Sequence, residues 1–124
     1  MAWLEMGKDA YSAAAGLQDH PRSRISRAYY AAYSLVSDEL SMVRGVSFPV
    51  GRHGPSHAEV PNLIGNHLKA KLHQGDIKDL KAAMRRLYFA RLEADYEPYQ
   101  KLGAEEARKA ILDARLVLAK FGAL

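Results

Sequence analysis

The chain has 124 residues, 48% of them hydrophobic and 26% charged, which fits one globular domain over residues 1–124 with a core that needs no covalent staples. It has no cysteine, so disulfides and thiolate metal sites are excluded. A formal charge of +4 and a pI near 9.4 permit a phosphate-bearing partner without demanding one, and no apolar run reaches the length of a membrane span.

Glu5, Lys8 and Asp9 fall too early for a secretory signal, so a cytoplasmic location is expected. A first helix is predicted from Ala2 to Gln18, with Trp3, Met6, Ala10, Ala13, Ala14 and Leu17 as its buried stripe. Asp19-His20-Pro21 breaks it and leads into a helical hairpin. The second helix, Arg22 to Arg44, is the central stave. Ile25, Ala28, Tyr29, Ala32, Leu35, Val36 and Leu40 recur on one face, and Ala28, Ala31 and Ala32 let a neighbour approach. Pro21 suits a first turn, Asp19 or His20 is the expected cap, and Gly45 the stop. Arg22, Arg24 and Arg27 crowd its start, where positive charge opposes the helix dipole.

Gly45 to Pro61 has the glycines, prolines and lack of periodicity of a loop. A short third helix is predicted over roughly Glu59 to Leu72, with a loose first turn at Ser56 and regular helix from about Val60, since a proline at position 61 blocks a backbone bond deeper in a helix. Gln74-Gly75 reads as its end and Asp76 as the cap of a fourth helix, Ile77 to about Ala94. Ile77, Leu80, Met84, Leu87 and Tyr88 form its buried face, which continues onto Arg91 and Asp95, an ion-pair spacing. The last helix spans Ala104 to Lys120 with a stripe of Ala107, Ile111, Ala114, Leu118 and Phe121. Leu112 and Leu116 widen that stripe enough to suggest burial on two sides, as in a dimer. The expected fold is all-α, an up-and-down bundle of four or five helices.

The segments RAYYAAY (Arg27 to Tyr33) and ADY (Ala94 to Tyr96), in this order and separation, resemble those of the HEPN domain family, closest to its small stand-alone prokaryotic members. The resemblance covers nearly the whole chain. It implies a helical bundle that commonly dimerises, in prokaryotic defence or toxin–antitoxin systems. It implies binding of RNA or a nucleotide, and for many members metal-independent endoribonuclease activity through an Arg-x4–6-His motif. Other members partner a minimal nucleotidyltransferase as toxin to antitoxin.

One such spacing occurs here, Arg52 to His57, and it makes these two the candidate catalytic residues. An imidazole titrating near neutrality can act as base or acid, and a guanidinium can clamp phosphate oxygens, so no metal or other cofactor is called for. The pair departs from the ribonuclease pattern in lying in a Gly/Pro loop before the third helix rather than in a late helix. Arg27, Tyr30, Arg91, Asp95 and Tyr96 match the family pattern. They read either as an ion pair with a tyrosine tying a helix end, or as a polar pocket for a nucleotide or RNA phosphate. His53 and His57, four apart in a glycine-containing loop, and His67 and His73 make no metal set. A homodimer is the expected assembly, and a helical adaptor without a small ligand is the reading independent of the family.

Overall fold

The computed structural model describes residues 3–16, 20–43 and 55–123. They form five α-helices, with no strand among them: α1 (Trp3–Gly16), α2 (Pro21–Ser41), α3 (Val60–His67), α4 (Gln74–Tyr96) and α5 (Ala104–Lys120). A 3-10 turn, His57–Glu59, leads into α3. The expected all-α bundle is the fold found. Among the described residues no helix is long and apolar enough to cross a membrane.

The bundle is assembled around α2, which contacts each of the other four helices. Ile25, Ala28, Tyr29, Ala31, Ala32, Leu35, Val36 and Leu40 are all buried. They face more than one direction, as a helix enclosed by neighbours must. α1 approaches through small residues. A Cβ on Gly7 would lie 2.9 Å from the Ala31 carbonyl oxygen, so the two backbones nearly touch. That choice corrects the predicted stripe. Gly7 and Ala14 are buried, whereas Met6 is 42% exposed and Ala13 is exposed. Close backbone approach at Gly7 turns the larger Met6 outward. Leu17, also expected in the stripe, lies outside the described residues.

α2 begins at Pro21 as its ring predicts. His20 occupies the cap position but makes no side-chain capping bond. Arg22 and Arg24 take up carbonyls of neighbouring helices instead. Arg24 Nε donates to Ala14 O at 3.0 Å, in the last turn of α1. The Arg22 guanidinium donates to Glu93 O at 3.2 Å, Ala94 O at 3.0 Å and Pro98 O at 3.4 Å, and also to Gln100 O. α1 and α4 run antiparallel to α2, so their orphan C-terminal carbonyls converge on its first turn. The positive charge that looked misplaced for α2 neutralises the negative ends of two neighbours.

α3 starts at Val60, as expected, with Pro61 in its first turn, but it ends at His67 rather than near Leu72. Gln74 and Gly75 do not terminate it; they open α4. A glycine is tolerated there because first-turn amides need no intrahelical partner. Asp76 consequently lies inside α4 rather than capping it, and pairs with Lys120 of α5 at 2.5 Å. α5 has the predicted limits, and Gly103 N donates back to Glu106 Oε2 at 2.9 Å to close its first turn. Its stripe is buried at Ala107, Ala110, Ala114, Val117 and Leu118, Leu116 is half-buried, and Leu112 is left 49% exposed. Among the described residues nothing covers the second side of the α5 face at Leu112.

Candidate functional site

Three tyrosines of α2, at positions 29, 30 and 33, face the segment that follows the long loop. Tyr33 donates its hydroxyl to Pro55 O at 2.6 Å, a buried bond that ties this segment to α2. One turn earlier, the Tyr29 hydroxyl lies 2.6 Å from His57 Nδ1. The Tyr33 and His57 rings overlap at 4.4 Å between centroids and 33° between planes. Two tyrosines one helical turn apart thus hold the imidazole from its edge and its face.

α4 closes the other side. Arg91 donates from Nε to Asp95 Oδ2 at 3.0 Å, four residues on, and from NH2 to the Tyr30 hydroxyl at 3.1 Å. Its guanidinium carbon stands 5.8, 5.5 and 5.6 Å from the ring centres of Tyr29, Tyr30 and Tyr96, within cation–π range of all three. Its side chain is only 12% exposed. Tyr88, one turn earlier on α4, sits against Tyr29 at 6.1 Å between ring centres.

Burial and the tyrosine neighbours push the Tyr29 phenol far above its ordinary value, so the phenol keeps its proton. Burial first, and the Arg91 charge second, push the His57 pKa down from 6.5, so the ring is neutral at pH 7. A buried hydroxyl must place its proton on an acceptor, and Nδ1 is the one within reach. This assigns the neutral imidazole proton to Nε2. In that tautomer Nε2 of His57 is a hydrogen-bond donor.

The structure brings together five of the seven residues singled out from sequence. His57, Tyr30, Arg91, Asp95 and Tyr96 share one α2–α4 seam. Arg27 lies outward of them. It is exposed, has no hydrogen-bond or ion-pair partner among the described residues, and lines a cleft of about 510 Å³ with Arg22, Ser23, Ser26, Ala94 and Asp95. Arg52, the other half of the candidate catalytic pair, lies outside the described residues, as does His53. Both sequence readings of the Arg91 group have a counterpart. The ion pair and the tyrosine contact to Arg91 are present, though Tyr96 contributes its ring rather than a hydroxyl tie, and a polar cleft opens beside them. Tyr29 and Tyr88, which their spacing assigns to buried faces, are also walls of the site, and Tyr33 joins them. The four-residue step from Tyr29 to Tyr33 was the available signal. Among the described residues no group of three or more His, Asp or Glu is placed to hold a metal ion.

No curated protein and no solved structure gives a significant match to the chain. A family model described as the HEPN domain matches residues 1–123, which span the whole bundle and the His57–Arg91 seam, and the chain therefore belongs to the HEPN domain family.

Proposed function

We propose that this HEPN protein is an RNA-binding module of the prokaryotic defence or toxin–antitoxin type, working as a homodimer, with the α2–α4 seam as its phosphate site. The observation that carries this reading is the set of donors on the seam and in the cleft that opens beside it at Asp95. Arg27 has no hydrogen-bond or ion-pair partner among the described residues, the Tyr29 hydroxyl engages Nδ1 of His57 and so directs the ring proton to Nε2, and Arg91 supplies a fixed positive charge. Phosphate oxygens only accept hydrogen bonds, so a wall of donors suits them. Asp95 is the local anion, and its pairing with Arg91 leaves Arg27 to face the ligand.

The test is binding of labelled single-stranded RNA by fluorescence anisotropy in the presence of EDTA. Arg27→Glu and His57→Gln should each weaken binding about tenfold or more, the equivalent of ~1.4 kcal/mol. Unchanged affinity in both removes the seam as the site. A free nucleotide that shifts the melting temperature through the same residues would narrow the ligand from RNA to a nucleotide.

A second reading, metal-independent endoribonuclease, rests on the Arg52 to His57 spacing and on an imidazole neutral at pH 7. The Nε2–H tautomer argues against His57 as the base, so the expected result is RNA bound and left intact. Cleavage in EDTA that disappears in both Arg52→Ala and His57→Ala would replace the binding reading with the nuclease one. A nucleotidyltransferase partner is the further family-derived proposal, tested by co-purification with such a protein.

A further inference from the structure

The charged side chains are not evenly neutralised. Lys71 pairs with Glu39, Arg86 with Asp113, Arg108 with Glu105, and Lys120 with Asp76 and Asp79. Arg22 and Arg24 are taken up by helix-end carbonyls. Several cations have no hydrogen-bond or ion-pair partner among the described residues, and four of these, Lys69, Lys78, Lys81 and Arg85, line one groove between α3 and α4. The groove consists of two adjoining clefts of about 680 and 560 Å³ that share Gln74, Ile77 and Lys81, and neither is lined by an aspartate or glutamate. Asp79, the acid nearest in sequence, is turned to the other side of α4 by Lys120 at 3.6 Å.

Lys81 is seated rather than loose. A Cβ on Gly65 of α3 would come within 3.2 Å of its ammonium nitrogen and 3.7 Å of its last two carbons, so the missing side chain of Gly65 gives the lysine its place across the groove. Asn62 and Asn66 of α3 and Gln74 of α4 supply amides that both donate and accept. The groove offers no aromatic anchor, and lysine is depleted at protein–protein interfaces, so a protein partner is the poorer fit. On α4 the three- and four-residue steps from Lys78 to Lys81 to Arg85 continue toward Tyr88 and Arg91, which puts the groove and the His57–Arg91 seam along one helix. Lys81 and Arg91 are ten residues apart, roughly 15 Å at the helical rise of 1.5 Å per residue.

We propose that the α3–α4 groove is a second contact surface for the phosphodiester backbone of single-stranded RNA, held by Lys69, Lys78, Lys81 and Arg85, so that a strand seated at the α2–α4 seam continues along α4 into it. The proposal rests on the reading of this chain as an RNA binder, but it makes its own length and salt predictions.

Binding is measured with oligonucleotides of about 4 and about 12 nucleotides, bracketing the ~4–16-nucleotide site sizes of single-strand-binding modules. The full chain, a Lys81→Gln/Arg85→Gln variant and the Arg27→Glu variant are compared across a salt series. The full chain should bind the longer RNA at least tenfold more tightly than the shorter. The groove variant should lose that gain while keeping its affinity for the short RNA, and its log–log salt slope should fall by about 1.4, at ~0.7 per phosphate contact on a single strand. Arg85 is exposed and Lys81 half-buried, and an unchanged melting temperature confirms the fold. If Arg27→Glu leaves all binding intact while the groove variant loses the long RNA, the seam reading falls and the groove stands. If the groove variant binds the long RNA with unchanged affinity and slope, or if a poly-glutamate peptide binds the groove as tightly as RNA, the proposal is overturned.

Discussion

Replacing Gly7 by alanine sets two opposed effects against each other in one position. Within a helix alanine is favoured over glycine by about 1 kcal/mol, because glycine gives up more backbone freedom on folding. At Gly7 the new Cβ would meet the Ala31 carbonyl oxygen at 2.9 Å and the Leu35 amide nitrogen at 3.4 Å. Both are backbone atoms of the central helix, so neither can swing aside. Overpacking of this kind costs about 1–3 kcal/mol, and relief requires moving α1 off α2 along the most extensive helix pair in the bundle. The clash should therefore cancel the helix gain and outweigh it by up to about 2 kcal/mol. Gly75, in the first turn of α4, has no atom within 4 Å of the same construction, so alanine there should stabilise by about 0.5–1 kcal/mol. At roughly 3–5 °C per kcal/mol for a chain of this size, Gly7→Ala should lower the melting temperature by up to about 10 °C and Gly75→Ala should raise it by about 2–5 °C. Urea and thermal unfolding followed by far-UV circular dichroism read both, and the distant pair should be additive in the double variant. A Gly7→Ala protein as stable as Gly75→Ala would refute the close approach of α1 and α2.

Three further perturbations probe the site and its support. Arg22→Ala removes a guanidinium that donates to two C-terminal carbonyls of α4, both part-buried bonds, and to two carbonyls of the turn beyond it, and should cost about 2–3 kcal/mol; Arg22→Lys, one point charge in place of a fork, should recover less than half, and hydrogen exchange should localise the loss to the end of α4. His57 binds a proton less readily in the folded than in the unfolded chain, so its contribution should leave stability intact above pH 6.5 and erode it as pH falls from there toward the folded value; Arg91→Met should move the imidazole titration seen by NMR back upward, and a His57 that titrates at or above 6.5 in the unaltered protein would contradict the site geometry. Ser37 is fully buried in α2 with an unpartnered hydroxyl, so Ser37→Ala should stabilise by about 0.5–1.5 kcal/mol in the same unfolding assays.

What the residues alone determined was the set of helices and their approximate ends. Amphipathic spacing is a local property, so α5 and the start of α2 were legible almost to the residue, and Pro61 correctly restrained the start of α3, whereas α2 ends at Ser41, three residues before the expected Arg44. Local signals misled where a residue type has two uses: Gln74-Gly75 read as an ending and proved to be a beginning, and Met6 read as core because the small-residue face at Gly7 carries no hydrophobic signal of its own. The family-pattern residues Tyr30, Arg91, Asp95 and Tyr96 were also visible, as a spacing without a purpose. Only the tertiary arrangement put His57 between Tyr29 and Tyr33, with the Tyr29 hydroxyl on Nδ1, and left Arg27 without a partner among the described residues while Arg22 and Arg24 were consumed as caps for helices up to 72 positions away. Hydrogen bonds and charge compensation between helices depend on which ends meet in space, and antiparallel packing around α2 decides that.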